Sequence, residues 1–265
     1  MKGLFRWMFI VGAAIAGLLV VFMLNPQILY AHTKTYKSIS IFSKYQCPGR
    51  FNAIIDQSLD LISYSELYDS SFRFRLFLND GSAFPTVPKT ILGNAFAWGY
   101  SNNIVLNGTT DSSFGFISLN GYKRQLARTI AHEMMHCLQA NRFGIFGSRP
   151  LKNIPYWKWE GYPEYISYRS SVHYNEDSLL IVNLGRLDSF KNHSYAPVEV
   201  DTDEGKSFAG LDYFRWWLMV KYCIDKKKMS FADILKNEVG YEAIHTEMMN
   251  WYANHRYSFS PPSGP

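Results

Sequence analysis

The stretch His132-Glu133-Met134-Met135-His136 constrains this chain of 265 residues more tightly than any other. On an α-helix, residues four apart stand one above the other, so His132 and His136 present two imidazoles to one point. That bite suits a tetrahedral Zn²⁺. Glu133, one position round the helix, can reach a water at such a site and serve as general base. The flanking residues are apolar, Ile130-Ala131 before and Cys137-Leu138 after, which argues against a surface helix carrying two solvated histidines. The pattern predicts a helix from Gly121 to Asn141, with Asn120 as N-cap and Gly144 as stop. Leu126, Ile130, Met134, Cys137 and Leu138 would form its apolar side.

A catalytic zinc needs a third protein ligand and one open position. Downstream, Trp157-Lys158-Trp159-Glu160-Gly161-Tyr162-Pro163-Glu164-Tyr165 offers Glu160. With this second motif the chain resembles the glutamate-zincins (gluzincins), in particular the peptidase MA-like domains related to aminopeptidase N and thermolysin-type enzymes. In that family the motif reads approximately W-x-x-E-G-[aromatic or Leu]-A-E-Y, and its first Glu is the third ligand. Trp157, Glu160, Gly161, Tyr162, Glu164 and Tyr165 fall in register. Pro163 replaces the usual small Ala, a change that a first helical turn accepts and a helix interior does not.

The resemblance implies His132, His136 and Glu160 as zinc ligands and Glu133 as the catalytic base. Glu164, four residues beyond Glu160 and on the same face, is the candidate partner for the second ring N–H of a ligating histidine. The exchanged arrangement, Glu164 as ligand and Glu160 as support, follows if Pro163 begins the helix. The family likeness also implies a tyrosine on a later helix as oxyanion donor, here Tyr213, with Tyr222, His173 and His193 as rivals. Asn94 to Tyr100 lies where the relatives carry the strand bordering the cleft, and an edge strand there can bind an extended peptide. No match is seen to the Gly-Ala-Met-Glu-Asn sequence with which aminopeptidases grip a free amine, which tilts the reading toward an endopeptidase.

The N-terminus adds a location. Lys2 and Arg6 precede eighteen uncharged residues, Trp7 to Leu24, closed by Asn25-Pro26. At about 1.5 Å per residue this run nearly spans a bilayer core of about 30 Å. Leu29-Tyr30-Ala31 makes a poor cleavage site, so residues 1–29 read as an uncleaved signal-anchor. The basic flank puts the N-terminus in the cytoplasm and the catalytic domain outside it, an orientation that Lys34 and Lys37 weaken. The expected fold class is α+β and zincin-like. A small mixed sheet lies next to the His-Glu-x-x-His helix, and a mostly helical C-terminal subdomain follows. The expected domains are a connector at 30–48, a peptidase domain at 49–258 divided into 49–145 and 146–258, and a disordered tail at 259–265.

The remaining segments read as follows. Tyr30 to Pro48 is a polar connection with a strand at Ser38–Phe42. Phe51 to Tyr68 is helical, with Ile54, Ile55, Leu59 and Ile62 in register, and Phe72 to Leu78 is a strand ended by Asn79-Asp80-Gly81. Pro85 and Pro88 lie in a loop. Ala95–Tyr100 and Ile104–Leu106 form a hairpin or an edge strand with a turn. Val172 to Glu204 is loop-like, Phe208 to Lys226 an aromatic-rich helix, and Ser230 to Glu238 a shorter one capped by Ser230. The 17% of aromatic residues argues for a ring-rich core and against disorder. The net charge of +5 is scattered, with no basic stripe for nucleic acid. Cys47, Cys137 and Cys223 allow at most one disulfide, and Cys137 reads as a buried thiol.

These features lead to one principal expectation: a membrane-anchored zinc peptidase that acts on a peptide or protein substrate through a Glu-activated water. The alternative is a zinc-containing, catalytically silent binding module at the cell surface. A peptidase with its site inside the bilayer is disfavoured, because only one spanning segment exists.

Overall fold

A computed structural model of the chain describes residues 2–111, 115–169, 176–190, 198–202 and 205–257. Its first element is α1 (Lys2–Leu24), followed by strands β1 (His32–Tyr36) and β2 (Ile39–Ser43) and helix α2 (Phe51–Ser63). Next come β3 (Phe74–Phe77), α3 (Thr86–Leu92), β4 (Ala97–Tyr100) and β5 (Asn103–Leu106). The three-stranded β6 (Thr109–Asp111), β7 (Phe116–Leu119) and β8 (Tyr122–Gln125) lead into the long helix α4 (Leu126–Gly147). The second half contains α5 (Tyr156–Trp159), α6 (Gly161–Ser167) and α7 (Glu176–Ser189), then strands β9 (Val198–Thr202) and β10 (Gly205–Ala209). Helices α8 (Leu211–Lys221), α9 (Phe231–Ile234) and α10 (Tyr241–His255) complete it. The class is α+β with a mixed sheet.

The main sheet has the order β1-β2-β3-β5-β4. Its centre, β2, β3 and β5, is parallel, and both margins are antiparallel. Alternation decides which face each residue serves. Ile39 and Ile41, Phe74 and Leu76, and Ile104 and Leu106 point to the large core shared with α2 and α4. Phe42, Phe77, Trp98 and Val105 point the other way into a small aromatic cluster with Phe84, against which Met23 and Tyr30 pack. On α4, Leu126, Ile130, Met134, Cys137 and Leu138 are all essentially sealed from solvent. Each contributes on the order of 1.5–3 kcal/mol of burial for a large apolar side chain.

Several local expectations change. Residues 30–48 are more than a connector, because β1 and β2 form one margin of the main sheet through a two-residue turn at Lys37-Ser38, where Lys37 has φ +51°. Pro85 and Pro88 start α3 instead of lying in a loop, since a first turn needs no N–H from proline. Asn120 does not cap the zinc-motif helix. Asn120 (φ +52°) and Gly121 (φ +83°) make the tight turn of the β7–β8 hairpin, a dipeptide suited to two positive φ values. Helix α4 therefore starts at Leu126, and Gly144 (φ +67°) breaks it near its end. Within Val172–Glu204, α7 buries Leu180, Leu184 and Leu187, a helical spacing that the polar composition hid. The tail 259–265 lies outside the described residues. All three cysteines are free, Cys137 and Cys223 buried and Cys47 half-buried.

Phe5–Leu24 of α1 has a mean hydropathy of 2.6 and none of it is buried. By length and composition it can cross a membrane.

Candidate metal centre

Two helices meet to make the site. Helix α4 supplies His132 and His136 on one face. The α5–α6 segment supplies Glu160, at the joint between its two short helices, and Glu164 one turn later. The Nε2 atoms of His132 and His136 lie 3.1 Å apart. Glu160 Oε2 is 3.2 Å from the Nε2 of His136 and 3.4 Å from that of His132. Zinc bonds of about 2.0–2.1 Å at tetrahedral angles place donor atoms about 3.4 Å apart. The observed spacings of 3.1–3.4 Å are close to that value, and this His-His-Glu group could hold a metal ion.

Electrostatics point the same way. Burial pushes the Glu160 carboxyl up, but the imidazoles of His136 and His132 overcome this and hold it far below the usual carboxylate range. Burial would lower His136, yet the Glu160 carboxylate raises it to about 9. Three electron-rich donors at one focus call for a positive charge between them. A proton or a cation answers that need. Glu133, on the same helix, is 7% exposed. Burial pushes its carboxyl up, opposed by His132 and His136.

Each imidazole has a buried support. His132 Nδ1 has Glu164 Oε1 as its nearby carboxylate at 3.4 Å, an ion-pair distance longer than a formed hydrogen bond. Glu164 is fully buried and accepts from Arg124 of β8 at 3.0 and 3.1 Å. Glu160 thus faces the Nε2 atoms and Glu164 faces Nδ1, so the exchange of their roles is not the arrangement seen here. His136 Nδ1 meets Gln139 Oε1 at 2.8 Å.

Gln139 was not among the residues singled out from the motifs, and its position has a traceable cause. Pro163 has no N–H to offer the carbonyl of Trp159 four residues earlier. That carbonyl instead accepts from Gln139 Nε2 at 3.0 Å. The amide is thereby oriented with Oε1 toward His136, so Nδ1 donates to it and Nε2 is the ring nitrogen turned to the focus. The sequence departure at Pro163 was the available clue.

Two glycines permit the close approach of these elements. A Cβ at Gly99 of β4 would lie 2.3 Å from the Glu133 carbonyl oxygen and 3.0 Å from His136 Cβ. One at Gly161 would lie 2.7 Å from the Trp216 carbonyl oxygen of α8. Tyr213, in the first turn of α8, has its ring 6.3 Å from that of His132 and is 37% exposed. Partial burial and the Glu160, Glu164 and Glu133 carboxylates raise its phenol, which keeps the hydroxyl a donor. Tyr222 packs on Trp251 instead. His173 and His193 lie outside the described residues. His136 also lines a cavity of about 690 Å³, bounded by β4, the end of α4 and Trp159.

Compared with known families, with characterised proteins and with solved structures, the chain has no significant match.

Proposed function

We propose that the chain is a membrane-anchored, zinc-dependent peptidase with a zincin-like catalytic domain. The observation that carries this reading is the convergence of His132, His136 and Glu160 at donor spacings of 3.1–3.4 Å, with Glu133 beside them. A mixed sheet next to the motif helix, with the third donor on a later helical segment, supports the zincin-like reading. Bound there, zinc would supply Lewis-acid polarisation of a carbonyl and a lowered pKa for the attacking water.

The chain's own residues account for the rest. Glu133 takes the proton from the attacking water and returns it to the leaving amine as the peptide C–N bond breaks. Gln139 orients the His136 ring with Nε2 toward the focus, and Glu164, 3.4 Å from His132 Nδ1, is the carboxylate placed to do the same for His132. Tyr213 donates to the oxygen that gains negative charge. Among the described residues strand β4 pairs only with β5, so its outer edge can hold a substrate in extended form, which suits an endopeptidase. The proposed single-pass arrangement, with the site outside the cytoplasm, is supported by Lys2 and Arg6 in the first turns of α1, ahead of its apolar run.

Metal analysis of the purified full chain tests the reading together with Glu133→Gln. The expected outcome is one zinc per chain in both proteins and peptide-library cleavage about 10²–10⁴-fold slower in the variant. Equal cleavage rates would remove Glu133 as the base. A zinc-loaded chain inert on every peptide would favour the silent binding module.

A further inference from the structure

The cavity beside His136 extends to Leu24, the last residue of the anchor helix. Tyr100, Asn102, Arg149 and Pro150 complete the part of its wall that matters here. Taken as a sphere, a space of that volume is roughly 11 Å across, the reach of about three extended residues. The cavity thus joins His136, one of the three candidate metal donors, to the end of the apolar span.

The anchor is also clamped to the sheet at this point. The carbonyls of a helix's last turn lack partners within the helix. Here they accept from side chains of the sheet. Tyr100 Oη and Asn103 Nδ2 donate to the Met23 carbonyl at 3.1 and 3.2 Å, and Arg75 Nη2 donates to that of Leu24 at 2.9 Å. The Arg75 guanidinium also complements the negative end of the helix dipole. Asn102 Oδ1 holds that guanidinium in turn, at 2.8 Å. An anchor joined by a flexible linker would let the cleft wander; this one holds the end of β4 at the level where α1 leaves the bilayer. Ile28, four residues past the end of the anchor, is 64% exposed, and an apolar side chain there fits a lipid headgroup surface.

We propose that the substrate is a polypeptide tethered in the same membrane and cut within a few residues of the bilayer surface. This assignment rests on the peptidase reading and adds the class of substrate. The β4 edge and the cavity receive the extended segment where it emerges from the lipid, and chains far from the surface reach the cleft poorly.

The test uses the full chain in lipid vesicles with a carrier protein. The carrier has one transmembrane helix, a Gly-Ser spacer of about 5, 15 or 40 residues, and a peptide that the full chain cuts in detergent. Spreading the site through a thicker layer should cost about threefold between the shortest and longest spacers, as chain dimensions grow with the square root of length. The expected result is a fall of tenfold or more. A fall of about threefold or less, or a rate that rises with spacer length, overturns the proposal. Inserting about ten Gly and Ser residues between Asn25 and Pro26 is expected to flatten the dependence while leaving cleavage of free peptide in detergent unchanged. A steep dependence that survives this insertion overturns the role given to the clamp. A zinc-loaded chain that cuts neither free nor tethered peptide overturns the peptidase reading itself, and the substrate assignment with it.

Discussion

On the helical side of the cleft, each imidazole is backed by a buried side chain. His132 stands before Glu164 and Arg124, and His136 before Gln139 and the Trp159 carbonyl. On the sheet side, Tyr100 and Asn102 border an open cavity that reaches Leu24. The two walls answer different demands. Donor atoms must stand within a few tenths of an ångström of their places, so their freedom is removed by burial and by a second ring of partners. A wall that received an extended chain, as the proposed peptidase activity requires, would need main-chain edges and room.

Three substitutions test that contrast. The largest effect is expected from Arg124→Met on the locked wall. It leaves the Glu164 carboxylate buried without its cation, which costs about 3–5 kcal/mol of stability. It also loosens His132, weakening metal affinity about 10–100-fold. Thermal melting in detergent and a competitive zinc chelator measure the two losses. Melting and zinc binding equal to the parent would show that the locked wall is no more constrained than the open one.

An intermediate effect is expected at the seam between the walls. In Gly99→Ala the new methyl meets the Glu133 carbonyl and His136 Cβ, so β4 and α4 must separate, at a cost of about 1–3 kcal/mol. Peptide cleavage should fall with it, since the displaced backbone belongs to Glu133. Unchanged cleavage would mean that the strand can shift without disturbing the base.

The smallest effect is expected on the open wall. Tyr100→Phe removes one hydrogen bond to the Met23 carbonyl, which Asn103 still satisfies, and should cost about 0.5–1.5 kcal/mol. Zinc affinity should match the parent. A loss as large as that of Arg124→Met would end the contrast between the walls.

Much of the candidate site is legible in the sequence because its elements are local. Two histidines four apart, a glutamate between them and an apolar context specify a half-buried helix with convergent donors, whatever the rest of the fold does. Glu160 could be named because its aromatic setting resembles a known motif, and it does lie beside both Nε2 atoms. The helix at Phe51 and the strand at Phe74 carry clear periods, and both are present. Where two local rules competed, the wrong one was favoured. Asn120-Gly121 satisfies both a helix-start pattern and a hairpin turn, and only the pairing of Leu119 with Tyr122 decides between them.

The sequence by itself determined two convergent histidines, a carboxylate beside them and an apolar span at the N-terminus, since each follows from residue type and short spacing. Tertiary structure alone decided what surrounds them. It brings Arg124 to Glu164 across 40 positions and Gln139 to the Trp159 carbonyl across 20. It sets Tyr100 against Met23 across 77, so that the end of the span borders the cleft. Such contacts leave no period in the chain, because they depend on how far separate elements can approach, and here two glycines without a Cβ set that distance.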